Sequence, residues 1–411
     1  MLELRLALKN LSRHKRRTLL TAAVIGFGVM LFGASNCLYA GFEEESIRSF
    51  VKHETAYLAI TAPGYWKDRT ELPLQPAVPD AAQIAGRIRS LSGVKGAVPR
   101  VVFKASLNNG TDELPVQAIG TDPRHDGAVL SIADDVENGR YLQAGRDEAL
   151  LGRGLADLMD LKVGDTFTLV LRNKGTTFEA VDLEVAGILN APDPTVNDNY
   201  VYLPLDVAQR ITGLAGAATE ILISGKAGYR QVAALESEVK AALGGAAGRL
   251  DFHTWEDYAA DLMAMTQSKK SAMGMVVGLI LLIAGLGVTN NVLLAGFERV
   301  REVGTLRALG MTEKQVRRIF MLEGLGIGLF GGFFGALAGT LFVAYLTLVG
   351  LNATSLSQSN LGLPVTGYIR GVWNLPSILG AWAAAAAVSY LVSYFPAKRA
   401  SRLDPATALH Q

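Results

Sequence analysis

The chain has 411 residues, 50% of them hydrophobic and 19% charged, with a formal net charge of +1. A net charge so near zero gives no electrostatic footing for a nucleic-acid partner, and none is expected. The mean hydropathy of +0.25 is high for a soluble protein, and the apolar excess is gathered into four uncharged runs that a soluble core does not need.

The first run, residues 18–41, has no charged residue in 24 positions. At roughly 1.5 Å per helical residue it can cross a hydrocarbon layer of about 30 Å. Arg5, Lys9, Arg13, Lys15, Arg16 and Arg17 precede it. The apolar part is too long for the h-region of a cleaved signal peptide, so a retained anchor is expected. Cys37, the only cysteine, follows Asn36, where a lipobox requires a small residue. It reads as a small apolar packing residue, and with no second cysteine there is no internal disulfide.

Residues 42–268 read as a folded mixed α/β domain with helical stalks. "DAAQIAGRIRSL" and "YRQVAALESEVKAAL" have helical periodicity. Strand-like "TAYLAIT" and "VPRVVFKASL" flank the first, and "ATEILIS" and "GRLDFHT" the second. Two β-α-β units are thus expected near 55–107 and 219–254, with a β-rich insertion at about 108–200. Asn109-Gly110 between alternating runs predicts a hairpin, and a second strand pair is expected around Asn173, Lys174 and Gly175. "NAPDPTVNDN" reads as a loop by composition. Acidic pairs such as Asp134 and Asp135, or Asp193 and Asp198, read as solvated loop charges. "TWEDYAADLMAMTQSKKSAMG" keeps a helical pattern into the second run and predicts a stalk.

The second run, residues 271–297, contains Gly274, Gly278 and the polar Thr289-Asn290-Asn291, whose asparagines are expected to hydrogen-bond a neighbouring helix. A charged link, "ERVREVGTLRALGMTEKQVRRIF", follows as residues 298–320. Gly310 suits a helix C-terminal stop, and Thr312 with Gln315 forms a T-x-x-Q capping box for the next helix. A helix, a sharp turn and a second helix are predicted, with Leu306, Ala308, Leu309 and Met311 presented near the corner. Apolar contacts inside a charged rim suit docking in a protein groove.

The third span, residues 319–349, carries Gly324, Gly328, Gly332 and Ala336 at intervals of four, with Gly331, Gly335 and Gly339 as a second row. Small residues at this spacing admit a close neighbouring helix, either within the chain or across a subunit interface. Glu323, just before the uncharged run 324–352, is the one acid of that span, expected to be stabilised by interfacial water or by a cation on the link. A short outer loop at 350–374, a fourth span at 375–397 and a tail at 398–411 complete the chain. Lys and Arg crowd the N-terminal segment, the link and the tail, while the loop between spans three and four has only Arg370 as a flanking cation. Both termini and the link are therefore expected in the cytoplasm and residues 42–268 outside.

Catalytic patterns are missing from the sequence. No G-x-x-x-x-G-K-[ST] phosphate loop and no G-x-S-x-G elbow occurs. His14, His53, His125, His253 and His410 show no metal-ligand spacing. No catalytic, cofactor or metal site is expected, and an intramembrane enzyme is disfavoured. A transporter subunit, receptor or scaffold fits better.

The link with its continuation "MLEGLGIGLFGGFFG" closely resembles the hallmark of FtsX-like permeases, the membrane subunits of MacB-type (type VII) ABC transporters. The resemblance extends over essentially the whole chain. "LRLALKNLSRHKRRTLLTAAVIGFGV" is similar to the family's amphipathic start (residues 1–17) and first span. "EALLGRGLADLMDLKVGDTFTL" and "VAGIL" resemble its periplasmic core domain, and "YFPAKRASRLDPATALH" its C-terminal ending. The resemblance implies a fold of four transmembrane helices with a MacB-like periplasmic α/β domain between helices 1 and 2. It also implies a bacterial inner-membrane location and dimerisation with a second permease copy or paralogue.

By the same resemblance, residues 298–318 correspond to a cytoplasmic coupling helix that docks an ABC ATPase dimer, which would hold the ATP and Mg. Glu298, Arg299, Glu302, Gly304, Leu306, Arg307, Ala308, Gly310 and Glu323 match the coupling motif, and Gly324, Gly328, Gly331, Gly332, Gly335 and Gly339 serve helix packing or a dimer interface. The implied mechanism is mechanotransmission: ATP-driven closure moves the outer domain. MacB itself carries a fused ATPase domain, which this sequence lacks, so the stand-alone LolC/LolE lipoprotein-releasing permeases are the nearer pattern. Lipoprotein release or export of a hydrophobic substrate is the expected function, with membrane lipids and a periplasmic lipoprotein carrier or adaptor as further partners. The alternative is a signal transmitter that regulates a cell-wall hydrolase without transport.

Overall fold

The structure is a computed structural model that describes residues 2–13, 15–298, 300–352 and 368–401. It divides into two compact units, Glu45–Met263 and a unit of Met1–Glu44, Ala264–Asn352 and Tyr368–Gln411.

The chain opens with amphipathic helix α1 (Leu2–Arg13) and the long helix α2 (Lys15–Phe50). A π-turn, Val51–Thr55, follows α2. The α/β unit, called the outer unit for the side on which residues 42–268 are expected, then runs β1 (Leu58–Thr61), α3 (Ala81–Arg89), β2 (Val94–Asn108), β3 (Glu113–Thr121), β4 (Val136–Gly139) and β5 (Glu148–Gly152). It continues through α4 (Arg153–Leu158), β6 (Thr166–Arg172), β7 (Phe178–Leu189), α5 (Pro194–Asn199), β8 (Tyr200–Pro204) and α6 (Leu205–Thr212). It closes with β9 (Glu220–Gly225), α7 (Val232–Leu243), β10 (Asp251–Thr254) and the short α8 (Trp255–Tyr258).

The two β-α-β units mesh. Strand order begins β10-β1-β9-β2, with β1 between β10 and β9 and each neighbour antiparallel. This is the split β-α-β arrangement, in which each unit leaves a gap that a strand of the other fills. The insertion extends the same sheet through β3, β8, β5, β7 and β4, with β6 pairing β2 and β7. Its hairpins form where expected: Asn108 faces Glu113 across the Gly110 turn, and Arg172 faces Phe178 across Asn173–Thr177. Period-two alternation gives both faces a core. Leu58, Ile60, Ile221 and Ile223 point to one side, and Ala59 and Leu222 to the other.

Two expectations for this unit need correction. "NAPDPTVNDN" is not all loop: α5 forms because Asp193 caps it, accepting from the Thr195 amide at 2.8 Å, with Pro194 at its first turn. The stalk after β10 is also interrupted, since Thr254 and Asp257 box the start of α8 and Ala259 separates it from the next helix.

That helix, α9 (Ala260–Glu298), is followed by α10 (Val300–Ala308) and α11 (Glu313–Val349). The link is thus two helices meeting at a corner, and α11 starts before residue 319. Strands β11 (Leu351–Asn352) and β12 (Tyr368–Ile369) pair antiparallel. The fourth apolar run forms α12 (Leu375–Val392), then breaks at Ser393 into α13 (Tyr394–Ser401). Among the described residues, four helices are long and apolar enough to cross a membrane: Thr18–Thr55, Gly274–Leu294, Glu313–Val349 and Leu375–Ser401. Leu279, Ile283 and Leu286 on α9 and Phe330, Phe333 and Phe334 on α11 are exposed, as lipid-facing side chains would be.

Candidate functional site

The corner between α10 and α11 is locally fixed on both sides. Gly310 has φ +95°, a conformation that glycine adopts without strain. The Leu309 amide donates to the Thr305 carbonyl at 3.0 Å, and Met311 reaches back to Leu306 at 3.0 Å, which satisfies carbonyls that end α10. Across the turn, the Thr312 amide donates to Gln315 Oε1 at 2.9 Å and the Gln315 amide donates to Thr312 Oγ1 at 3.4 Å, completing the capping box.

Val303 and Gly304 are buried, and Val303 joins a cluster with Val316, Phe320 and Ala397. Arg307 Nη1 donates to the Ser401 carbonyl at 3.4 Å, and its other terminal nitrogen lies 3.6 Å from Glu313. Ala308 and Leu309 face outward, Leu309 at 80% exposure. Leu306 and Met311 are only half-buried, and Met311 packs onto the internal cluster instead of standing free at the tip. Glu298 is exposed. Arg299 lies outside the described residues.

Two of the three motif acids, Glu302 and Glu323, point back toward α1. Arg13 Nη1 lies 2.5 Å from Glu302 Oε1, an exposed pair. Glu323 is buried, and its carboxylate accepts a hydrogen bond from the Asn10 amide. Both glycine rows pack within the chain. A Cβ on Gly324 or Gly328 would strike Ser393 or Ser389, and one on Gly332 would strike Trp382, whose indole donates to the Leu329 carbonyl at 3.1 Å. These contacts are to α12 and its end. On the second row, a Cβ on Gly331 would lie 2.5 Å from the Ala22 carbonyl, one on Gly335 2.2 Å from that of Gly26, and one on Gly339 3.4 Å from Met30 Cα. Thr289 donates to the Gly285 carbonyl of its own helix at 3.1 Å.

The outer unit holds polar groups that sequence reasoning passed over. Arg100, deep in β2, donates to the Glu54 carbonyl at 2.7 Å and lies 3.7 Å from Glu220, which accepts from the Tyr258 hydroxyl at 3.0 Å. Burial raises the Glu220 pKa, against the opposing pull of Arg100. These side chains line a cleft of about 350 Å³ with Tyr65 and Tyr200. Asp135, expected as a solvated loop charge, lies 3.1 Å from His53 Nε2, while His53 Nδ1 is 2.8 Å from the Ser49 carbonyl. The one signal available for Arg100 is a charge set between the apolar runs 97–99 and 101–103 of β2. Among the described residues, no group of three or more His, Cys, Asp or Glu is placed to hold a metal.

A family model for the FtsX-like permease C-terminal region matches residues 274–405, and one for the MacB-like periplasmic core domain matches residues 18–242. The lipoprotein-releasing system transmembrane protein LolE of Haemophilus influenzae is 24% identical, over 94% of this chain and 91% of that protein. The macrolide export ATP-binding/permease protein MacB of Nitrobacter winogradskyi is 25% identical, over 96% of this chain but 58% of its own length. An uncharacterised ABC transporter permease of Methanocaldococcus jannaschii is 29% identical, over 67% of this chain and 65% of that protein. With four membrane-length helices, an α/β domain between the first two and both family regions in place, the chain belongs to the FtsX-like ABC transporter permeases with a MacB-like periplasmic core domain.

Proposed function

We propose that this permease docks a cytoplasmic ABC ATPase dimer at the α10–α11 corner and passes the ATPase's closure to the outer unit. The cargo is a lipoprotein or another hydrophobic substrate handled at the outer leaflet of a bacterial inner membrane. The observation that carries the reading is the corner itself: Leu309, 80% exposed, on a turn held by Gly310 and the Thr312–Gln315 box. An apolar tip on a rigid mount suits a groove in a partner, because little conformational freedom is lost on docking. ATP and Mg would belong to that ATPase. The arginine- and lysine-rich N-terminal segment, link and tail favour a cytoplasmic position for both termini.

Native co-purification followed by mass spectrometry tests this directly. Wild-type protein should retain an ABC ATPase, whereas Glu302→Arg, Gly310→Pro and Leu309→Glu should lose it or leave it uncoupled, with the outer unit still folded. Unchanged ATPase association and substrate release from vesicles in all three variants would sink the reading.

A further inference from the structure

Helix α1 presents three stripes. The first faces α11: Ala7 is buried, Asn10 donates to Glu323, and Leu11 fills the space in which a Cβ on Gly326 would lie 2.4 Å away. Beside it stand Leu4 and Leu8, four residues apart and therefore on one side of the helix, 53% and 57% exposed. Arg5 and Lys9 form the third stripe, both exposed, and exposed Lys15 and Arg16 open α2. Exposed leucines bordered by cations, at the mouth of a membrane-spanning helix, match a helix lying in the headgroup layer. Its leucines would enter the acyl boundary and its cations would meet phosphates. Cationic density selects anionic over zwitterionic lipid.

We infer that α1 is an anionic-lipid contact that also clamps the corner: Arg5, Lys15 and Arg16 take anionic phospholipid headgroups, while Asn10 and Arg13 hold Glu323 on α11 and Glu302 on α10. The two acids lie on the two helices that form the corner, so one short helix braces both sides of it. Lipid held on the outer face of α1 therefore limits how far the corner can swing. The consequence for ATPase coupling rests on the docking reading above; the lipid contact and the bracing do not.

The full chain is reconstituted in vesicles of phosphatidylcholine, alone or mixed with phosphatidylglycerol, without an ATPase. Electron spin resonance of spin-labelled lipids measures the preference for phosphatidylglycerol at the protein boundary, and amide hydrogen exchange reports on residues 300–312. Wild-type protein should prefer phosphatidylglycerol, and its corner should exchange more slowly when that lipid is present. Arg5→Gln and Arg16→Gln should each lower the preference roughly two- to fivefold. Asn10→Ala with Arg13→Gln should keep the preference and lose the corner's protection. Unchanged exchange in the glycine-packed segments of α2, α11 and α12 checks that every variant keeps its fold. A preference indifferent to Arg5 and Arg16, or a corner that exchanges equally in both vesicles, overturns the inference. Failure of the ATPase to co-purify leaves these results untouched, so the two ideas fail separately.

Discussion

Glu148 is only 2% exposed, and Arg140 grips it at 2.9 and 2.5 Å while the Gln143 amide donates at 2.5 Å. Burial alone would raise its pKa, but the Arg140 and Gln143 hydrogen bonds outweigh burial and hold the carboxyl below the usual glutamate range. A depressed folded-state pKa contributes stability that is complete above the unfolded value, about 4.3, and lost as pH falls through the folded one. The melting temperature of the outer unit should therefore drop on acidification below about pH 4, and Glu148→Gln should flatten that slope. An identical acid slope in the variant would remove Glu148 as the cause. At neutral pH, Arg140→Ala should cost about 2–3 kcal/mol, less than a fully buried pair because Arg140 is 38% exposed. Nothing in the local pattern around Arg140 or Arg100 announces such a partner. Glu220 lies far along the chain from Arg100, and only the sheet brings the two together.

At the scale of elements, the glycine rows of α11 were legible as close-packing surfaces because spacing by four is a local property of a helix. Which helix they meet was not legible, since that depends on how the spans are arranged. The structure gives one row to α12 and the other to α2. This separates two substitutions that look alike in sequence. Gly335→Ala places a methyl 2.2 Å from the Gly26 carbonyl, and overpacking against backbone should cost about 1–3 kcal/mol. Gly278→Ala on α9 meets no atom of the described residues within 4 Å, so its effect on the folded chain should be neutral or slightly stabilising through helix propensity. Thermal unfolding in detergent compares them, and equal shifts would contradict the packing. The corner was legible for a similar reason, because Gly310, Thr312 and Gln315 act within one turn of each other. Helix α5 was missed because the polar, proline-containing run reads as a loop until Asp193 is recognised as its cap.

For the whole molecule, composition and charge bias suffice to find four spans and a domain between the first two, because bilayer thickness fixes the length of a run. Strand order is beyond that reach. The two β-α-β units are far apart in sequence yet interleave as β10-β1-β9-β2, so neither can complete its sheet without the other. The hydrophobic cluster on one face draws on Leu58 and Val101 from the first unit, Leu169 from the insertion, and Ile221 and Val239 from the second. Such a sheet should fold all at once or not at all. A fragment of residues 45–263 contains the whole of this core and should fold alone, with a single cooperative transition by circular dichroism and near-ultraviolet signal from its buried aromatic residues. Ending the fragment at residue 247 removes β10, which pairs with β1, and leaves β1 as an edge strand paired only with β9. That shorter piece should lose the cooperative transition. If it melts as sharply as the full fragment, the interleaved sheet is not what binds the two halves into one folding unit.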